Sequence, residues 1–304
     1  MPRVARIKEQ AGIYHVMLRS ISEILLFRSS EDKSKFKELL RKYKLIYHYE
    51  IYAYCLMSNH AHLVIDSCGA DISTIMKSIN QSYAAYYNNK YSRHGHVFQD
   101  RFKSKLVTNH KYLIRLTAYI HNNVKDIEEY KSQIEKYAFS SLGVYLGTKK
   151  DTFPLVNANF VLSQFSSKLK TSRKVYLNLM SRVTNLHCDI DIEFSEEGYE
   201  CINDRKIILR NFSPTDVKTF ISKYANKLFS INLTNIHENN ELKALFVLIT
   251  RSLCNYTFKD ICSLLGNTSS TNAQKLFKNG YALISTSNKY LSIIDDFVTE
   301  YSVS

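Results

Sequence analysis

The sequence lacks features that define whole classes of protein. No apolar run approaches the roughly 18–20 residues that a membrane-spanning helix requires, so we expect no membrane partner. Residues 1–8 contain no apolar block of the kind found in signal peptides, and we expect a cytoplasmic location. The chain also has no internal repeat and no low-complexity tract. With 45% hydrophobic and 23% charged residues, its composition is that of a chain with a buried core.

Paired-cysteine motifs are missing as well. The six cysteines, at positions 55, 68, 188, 201, 254 and 262, form no Cys-x-x-Cys pair and have no regular spacing. This pattern argues against both a disulfide framework and a zinc ribbon. We therefore expect reduced thiols, most of them buried.

Acidic residues are fewer than basic ones, and the imbalance is uneven. The chain has 41 Lys and Arg against 28 Asp and Glu, a net charge of +13. Residues 1–150 contain 24 basic and 13 acidic residues, whereas the remaining 154 contain 17 and 15. A basic first half suggests a polyanionic partner such as nucleic acid. The same charge also serves solubility, so composition leaves both interpretations open.

Hydrophobic periodicity predicts the fold class α+β. In the first half it predicts strands at 12–19, 47–57, 60–66 and 102–108, and helices at 29–43, 72–91 and from about 109 to 123. This β-α-β-β-α-β-α order is that of a ferredoxin-like antiparallel sheet with an added helix. The second half predicts an all-α region, with helices near 157–165, 168–184 and 214–229, consecutive short helices over 240–302, and a less regular stretch at 186–212.

A His-x-His pair opens the third predicted strand. His60 and His62 are two residues apart, and side chains at this spacing in a strand project from the same face. Two imidazoles so placed can share one divalent metal and leave coordination positions for a third ligand and a substrate oxygen. The alternative is two solvent-facing histidines on an edge strand.

The predicted helix after the fourth strand carries a second candidate group. Arg115, Tyr119 and Asn123 lie at i, i+4 and i+8, and therefore share one helix face. A tyrosine hydroxyl, with an ordinary pKa near 10, attacks phosphate only when it is positioned and the phosphate charge is neutralised. Asn123 is a candidate third oxygen ligand. Spacing alone is equally compatible with a surface aromatic residue.

The segment between residues 90 and 115 is basic, with interleaved aromatic residues. Cations bind backbone phosphates and aromatic rings stack on unpaired bases, which favours a nucleic-acid contact over a solvated basic face. The candidate phosphate contacts are Arg93, Arg101, Lys103, Lys105 and Arg115. A second His-x-His pair, His94 and His96, raises the alternative of a four-histidine zinc site, but Gly95 between them indicates a loop.

Four separate pieces of the first half occur in an order that resembles the REP-associated tyrosine transposases. That family belongs to the IS200-like superfamily and to the single-tyrosine branch of the HUH nucleases. The pieces are Ile-Tyr-His-Val at 13–16, Leu-Met-Ser-Asn-His-Ala-His-Leu at 56–63, Gly-His-Val-Phe-Gln-Asp-Arg-Phe-Lys at 95–103 and Tyr-Ile-His-Asn-Asn at 119–123. The resemblance covers residues 1–147, and its separate motifs are more specific than the histidine pair alone.

This resemblance implies a metal-dependent DNA endonuclease and strand transferase that acts on single-stranded or hairpin DNA. His60 and His62 would bind Mg²⁺ or Mn²⁺, with Asn123 near the metal. Tyr119 would form a 5′-phosphotyrosine and leave a free 3′-OH. The family usually has proline directly after this asparagine, whereas this chain has Val124, and we expect a changed helix end with the chemistry retained.

Other functions remain open at this stage. One is a non-catalytic DNA-binding regulator with the same fold, against which the intact His60, His62 and Tyr119 argue. Another is a replication initiator or relaxase with the same chemistry. Related enzymes build composite sites across a dimer, so the sequence leaves open a monomer or a homodimer, and use of Tyr119 in cis or in trans.

Residues 257–278 resemble a helix-turn-helix, similar to the DNA-binding domain of the bacterial replication initiator DnaA. Gly266 separates a short helix from a second helix that would present Gln274, Lys275 and Lys278 to a duplex major groove. An ordinary helical bundle is the alternative. The predicted organisation is a nuclease domain at 1–147, connector and accessory helices at 148–230, and a helix-turn-helix-like domain at 231–304.

Overall fold

The computed structural model describes residue 9 and residues 11–151, 154–183, 202–203, 205–229, 239–266 and 268–301. Contacts divide the chain into two compact units, residues 1–206 and residues 207–304. Most of the less regular stretch predicted at 186–212 lies outside the described residues, as do Cys188 and Cys201.

The first unit contains a four-stranded antiparallel sheet. Its strands are β1 (Ile13–Arg19), β2 (Glu50–Leu56), β3 (His60–Asp66) and β4 (Lys103–Leu106), in the spatial order β2-β3-β1-β4. Every neighbouring pair is antiparallel. With helices after β1 and β3, this is the ferredoxin-like arrangement that the sequence predicted. The α+β fold class is therefore confirmed.

Six α-helices lie among the described residues of the first unit. They are α1 (Ser30–Tyr47), α2 (Ile72–Lys90), α3 (His110–Asn122), α4 (Leu142–Leu146), α5 (Ala158–Leu162) and α6 (Leu169–Arg182). Three short 3₁₀ turns, at Asn123–Asp126, Glu128–Tyr130 and Ile134–Lys136, follow α3. Helix α3 lies close against β2 and also packs on α6.

The end of α1 corrects one predicted boundary. The sequence predicted a helix to residue 43 and a strand from residue 47, but α1 continues through Tyr47. Its apolar stripe extends one more turn, because Ile46 and Tyr47 are both buried. The helix then ends at His48, whose left-handed conformation reverses the chain before β2. The predicted fourth strand is also shorter than expected, at Lys103–Leu106.

A buried carboxylate joins α1 to α2. Asp32 completes a capping box with Ser29, the residue before α1, and it is fully buried. Its oxygens also accept from Lys90, Tyr86 and Tyr91 at 2.8, 3.1 and 2.7 Å. Because the charge is matched by a cation and several donors, this buried group stabilises the helix pair.

The second unit is entirely helical within its described residues. Its helices are α7 (Pro214–Phe229), α8 (Asn240–Leu253), α9 (Phe258–Leu265), α10 (Ser270–Thr286) and α11 (Ile293–Tyr301). Helix α8 is buried on nearly all sides and forms the core. Gly280 lets α10 approach it, since a Cβ there would lie 2.5 Å from the Ala244 carbonyl oxygen. Helices α9 and α10 flank Gly266, as predicted, and its φ of +71° favours glycine.

The two units do not coincide with the three predicted segments. The helices predicted as connector and accessory elements are divided between them, because α6 packs on α3 whereas α7 packs on α8. The four described cysteines, at 55, 68, 254 and 262, have free thiols, and the first three are buried. Among the described helices, none combines the length and apolar character that a membrane span requires.

Candidate active site

The register of the sheet places the two predicted metal ligands beside β1. His62 pairs with Met17 and His60 pairs with Arg19 across the antiparallel ladder. Paired residues on neighbouring strands project from the same face, as do residues two apart on one strand. One face of the sheet therefore presents two imidazoles and the exposed guanidinium of Arg19.

Strand β4 adds two cations to this face. Lys103 pairs with Met17, and Lys105 pairs with His15. Both lysines are exposed. Because they share the face of His60 and His62, two of the predicted phosphate contacts lie on the same side of the sheet as the predicted metal ligands.

The two histidines meet nearly edge to face. Their ring centroids are 5.1 Å apart with planes at 86°; His62 is buried and His60 is half-buried. The Nδ1 atom of His60 lies 2.7 Å from Oδ1 of Asn59. An amide oxygen can only accept, so His60 carries its proton on Nδ1 and keeps a lone pair on Nε2. That tautomer suits a metal ligand.

Burial keeps both imidazoles neutral. It lowers the pKa of His62 well below the ordinary value, and the neighbouring His15 and His60 act in the same direction. Burial also lowers the pKa of His60, with a further contribution from Arg19, while the carboxylate of Asp126 opposes the shift. Neutral imidazole is the form that binds a metal, so these shifts favour ligation.

Helix α3 brings Tyr119 to the histidines. The helix begins at an Asn109 cap, which accepts from the Tyr112 amide at 2.8 Å, and its buried stripe includes Leu116 and Ile120. The half-buried ring of Tyr119 meets that of His62 edge to face, with centroids 6.0 Å apart. The structure thus brings the predicted nucleophile against a predicted ligand, although they are 57 positions apart in the sequence.

Asn123 lies where α3 changes into a 3₁₀ turn. The α-helix ends at Asn122, and Val124 is buried within the turn, so the helix end forms here without a proline. The side-chain nitrogen of Asn123 donates to the Tyr119 carbonyl oxygen at 2.9 Å. This bond uses the amide nitrogen and leaves the lone pairs of Oδ1 for a donor or a cation.

Within the residues that the structure describes, no group of three or more His, Cys, Asp or Glu side chains is arranged to hold a metal. Among the described residues, a third ligand to the His60 and His62 pair would be of another type, such as an amide oxygen. His94 and His96 are both exposed, in an irregular segment after α2.

The other predicted DNA contacts are dispersed. Arg101 is exposed just before β4, and Arg115 is exposed on α3, one turn before Tyr119. Arg93 is only half-exposed, and its Nη1 atom is buried. Three further residues lie in the second unit, where all are exposed on α10: Gln274, Lys275 and Lys278.

A buried polar network behind Tyr119 was not predicted. His121 is fully buried on α3, with Nδ1 at 2.6 Å from the Tyr176 hydroxyl and Nε2 at 2.6 Å from the Ser141 hydroxyl. Tyr176 donates onward to Thr117, at 3.2 Å, and Ser141 accepts from the backbone amide of Tyr54, at 2.9 Å. The network joins α3 to α6 and to β2. Its members are far apart in sequence, so only the Tyr-Ile-His-Asn-Asn motif indicated that His121 is significant.

Sequence analysis also assigned no role to His15 and Asn59. Both lie inside the motifs at 13–16 and 56–63, and both contact the Nδ1 atom of a predicted ligand. The alternation of β1 indicated that His15 has a defined face. Its contact with His62 could not be predicted, because neither β1 nor β3 alone specifies the register between them.

Comparison with known proteins gave two matches. Residues 9–123 match a family model described as "Transposase IS200 like", which spans less than half of the chain. One similar solved structure is described as "Structure of the REP associates tyrosine transposase bound to a REP hairpin". It is 17% identical with a TM-score of 0.41, and the alignment covers 48% of this chain and 86% of that chain. The search of curated proteins found no match.

Proposed function

We propose that this protein is a metal-dependent DNA endonuclease and strand transferase of the transposase type, with Tyr119 as its nucleophile. One observation carries the proposal: Tyr119 lies against His62, on a sheet face that also presents His60 and three cations. The match of residues 9–123 to IS200-like transposases supports the same conclusion.

The residues of the site fit a divalent cation. His60 and His62 are neutral, and the tautomer of His60 keeps Nε2 available. With Asn123, in the turn after α3, as the proposed oxygen ligand, this mixed set of nitrogen and oxygen donors would suit Mn²⁺ or Mg²⁺. The cation, when bound, polarises the scissile phosphate and neutralises its developing charge.

The proposed chemistry is a transesterification. The hydroxyl oxygen of Tyr119 attacks phosphorus, the bond from phosphorus to the 3′ oxygen breaks, and the tyrosine proton is balanced by protonation of the leaving oxygen. The products are a 5′-phosphotyrosine and a free 3′-OH. The reverse attack by that 3′-OH, or by one from another strand, restores Tyr119, so strand transfer needs no external energy source. The proposed catalytic groups, Tyr119 and the ligands His60 and His62, are all side chains of the same polypeptide.

Single-stranded or hairpin DNA is the proposed substrate. Lys103 and Lys105 lie on the histidine face, and Arg101 and Arg115 are exposed on elements next to it. Cations at these positions are suited to hold the phosphates on either side of the scissile bond. Arg93, being half-exposed with a buried Nη1, is the weakest of the predicted contacts.

We also propose that the second unit contacts duplex DNA. Helix α10 begins at the Ser269 cap and presents Gln274, Lys275 and Lys278 on its exposed side. A glutamine can bind adenine edges and lysines can bind guanine edges or phosphates in a major groove. The α9–Gly266–α10 arrangement supports this proposal. If the second unit does not bind DNA, the alternative is an ordinary helical bundle.

A covalent-adduct assay tests the proposed function. Wild type and Tyr119→Phe are incubated with a pool of hairpin-bearing single-stranded DNAs, with Mn²⁺ or with EDTA, and separated on a denaturing gel. We expect an adduct with wild type and Mn²⁺ only. Tyr130→Phe is the matched control, because it removes a hydroxyl from a half-buried tyrosine outside the site.

The outcomes separate the alternatives. An adduct that Tyr119→Phe still forms refutes Tyr119 as the nucleophile, and an adduct that persists in EDTA refutes the metal requirement. DNA binding by wild type without an adduct in the pool favours the non-catalytic regulator. Loss of DNA binding by Tyr119→Phe indicates a structural role for this residue.

A further inference from the structure

A buried pair of histidines lies beneath the candidate active site. His15 on β1 and His62 on β3 have relative exposures of 3% and 4%. Nε2 of His15 lies 3.0 Å from Nδ1 of His62, which is hydrogen-bond distance. The ring planes differ by 24° and the centroids are 5.3 Å apart, as expected when two nearly coplanar rings meet through a nitrogen of each. This contact uses the nitrogen of His62 that a cation at its other nitrogen would leave free.

One proton lies between the two nitrogens, and the ring that carries it decides whether Nε2 of His62 has a lone pair for a cation. Both rings are buried, and the 3.0 Å distance between Nε2 of His15 and Nδ1 of His62 leaves room for a single proton between them. A neutral imidazole has one N–H and one lone pair. If His15 donates, His62 carries its own proton on Nε2 and has no lone pair there. If His62 donates from Nδ1, its Nε2 lone pair is available to a cation.

His15 itself is poorly placed to be a ligand. Its Nε2 atom is directed at His62, and the described residues contain no group of three or more His, Cys, Asp or Glu arranged to hold a metal. His60 provides the comparison within the same site, because the Asn59 oxygen fixes its proton on Nδ1. The same arrangement at His62 requires an acceptor, and His15 is the side chain at that position.

We propose that His15 is a positioning residue, which accepts a hydrogen bond from Nδ1–H of His62 and thereby holds the Nε2 lone pair of His62 ready for the cation. This inference rests on the proposed function for its purpose, but the tautomer is a property of the metal-free protein. A partner of this kind fixes both ring orientation and protonation of a ligand.

Two variants of His15 distinguish the effect of its hydrogen-bond acceptor from the effect of its packing. His15→Gln keeps an acceptor oxygen near the position of Nε2, whereas His15→Leu keeps a buried side chain but has no acceptor. We expect His15→Leu to weaken Mn²⁺ binding by about 10- to 100-fold, the range seen for such partners. We expect His15→Gln to stay closer to wild type than to His15→Leu. The exposed His94 supplies the control His94→Leu, which should leave Mn²⁺ affinity unchanged.

A second readout does not depend on metal or activity. Nitrogen-15 NMR of metal-free protein labelled at histidine distinguishes the two tautomers of His62. We expect the Nδ1–H form in wild type and in His15→Gln, and a shift towards the Nε2–H form in His15→Leu. If His15→Leu does not fold, the wild-type spectrum and His15→Gln still decide the question.

Two results would overturn the inference: an Nε2–H tautomer of His62 in wild type, or equal Mn²⁺ affinity for His15→Leu and wild type. Failure of the proposed function gives a different pattern. In that case wild type forms no Tyr119 adduct, while the Nδ1–H tautomer of His62 is still found.

Discussion

The buried network behind Tyr119 makes a quantitative prediction for Tyr176→Phe. The substitution removes one hydroxyl and keeps the ring, which lies 4.8 Å from that of Tyr145, so no large cavity forms. The hydroxyl contacts Nδ1 of His121 at 2.6 Å and donates to Thr117 at 3.2 Å. Thr117 keeps its bond to the Ile114 carbonyl, whereas the fully buried His121 loses its partner on Nδ1.

The expected cost follows from that single unsatisfied atom. A buried polar group left without a partner costs about 1–3 kcal/mol, so we expect about 2 kcal/mol of lost stability in the first unit. For a unit of this size, that corresponds to a fall in Tm of about 4–8 °C. The control Tyr130→Phe removes a hydroxyl outside the network and should change stability by less than about 0.5 kcal/mol.

Unfolding in urea, followed by far-UV circular dichroism, measures this difference, and hydrogen exchange at the amides of α3 locates it. The chain has no tryptophan, so fluorescence would report only its tyrosines. We expect faster exchange in α3 for Tyr176→Phe, together with weaker Tyr119 adduct formation. Equal stability of Tyr176→Phe and Tyr130→Phe would refute the argument that α6 holds α3, the helix of the proposed nucleophile Tyr119, through His121.

Two further predictions concern charge. Replacing Lys103 and Lys105 by glutamine should reduce the slope of log K against log salt by about 1.4 for single-stranded DNA, and the same change at Lys275 and Lys278 should reduce it by about 1.8 for duplex DNA. An unchanged slope removes that surface from the proposal. Burial lowers the pKa of His121 to about 3, and the titratable groups facing it are the neutral Tyr145 and Tyr176. In the unfolded chain the pKa of His121 is near 6.5. The contribution of this buried neutral histidine to stability is therefore complete above pH 6.5, and it is lost by about 1.4 kcal/mol per pH unit as the pH falls towards 3. Urea unfolding between pH 7 and pH 5 should show a shallower loss for His121→Gln, and equal slopes would contradict the assignment.

Local sequence patterns predicted the kinds and the order of the elements well. The alternation of β1 and the helical apolar periods of α1 and α3 are properties of neighbouring residues, and each marks an element that the structure contains. Boundaries were less well predicted. Tyr47 has the composition of a strand residue, but the core covers it as part of α1, because tertiary burial overrides local propensity.

The candidate site shows the same division. That His60 and His62 project from the same face follows from the two-residue period of a strand, and the sequence alone determined it. Alignment of Arg115 and Tyr119 on one side of α3, with Asn123 in the turn that follows, comes similarly from the helical period. The sequence did not determine that Tyr119 meets His62, since that contact depends on how α3 packs on the sheet.

The sequence by itself therefore determined which residues are candidates for the proposed chemistry and which elements hold them, because motifs and periodicity are local. Only the tertiary structure decided which of these residues meet. The register of β1 against β3 sets His15 against His62, and the packing of α6 sets Tyr176 against His121. A shift of one residue in that register would move His15 to the opposite face of the sheet. Neither strand alone specifies the register, because it is fixed by the joint burial of all four strands.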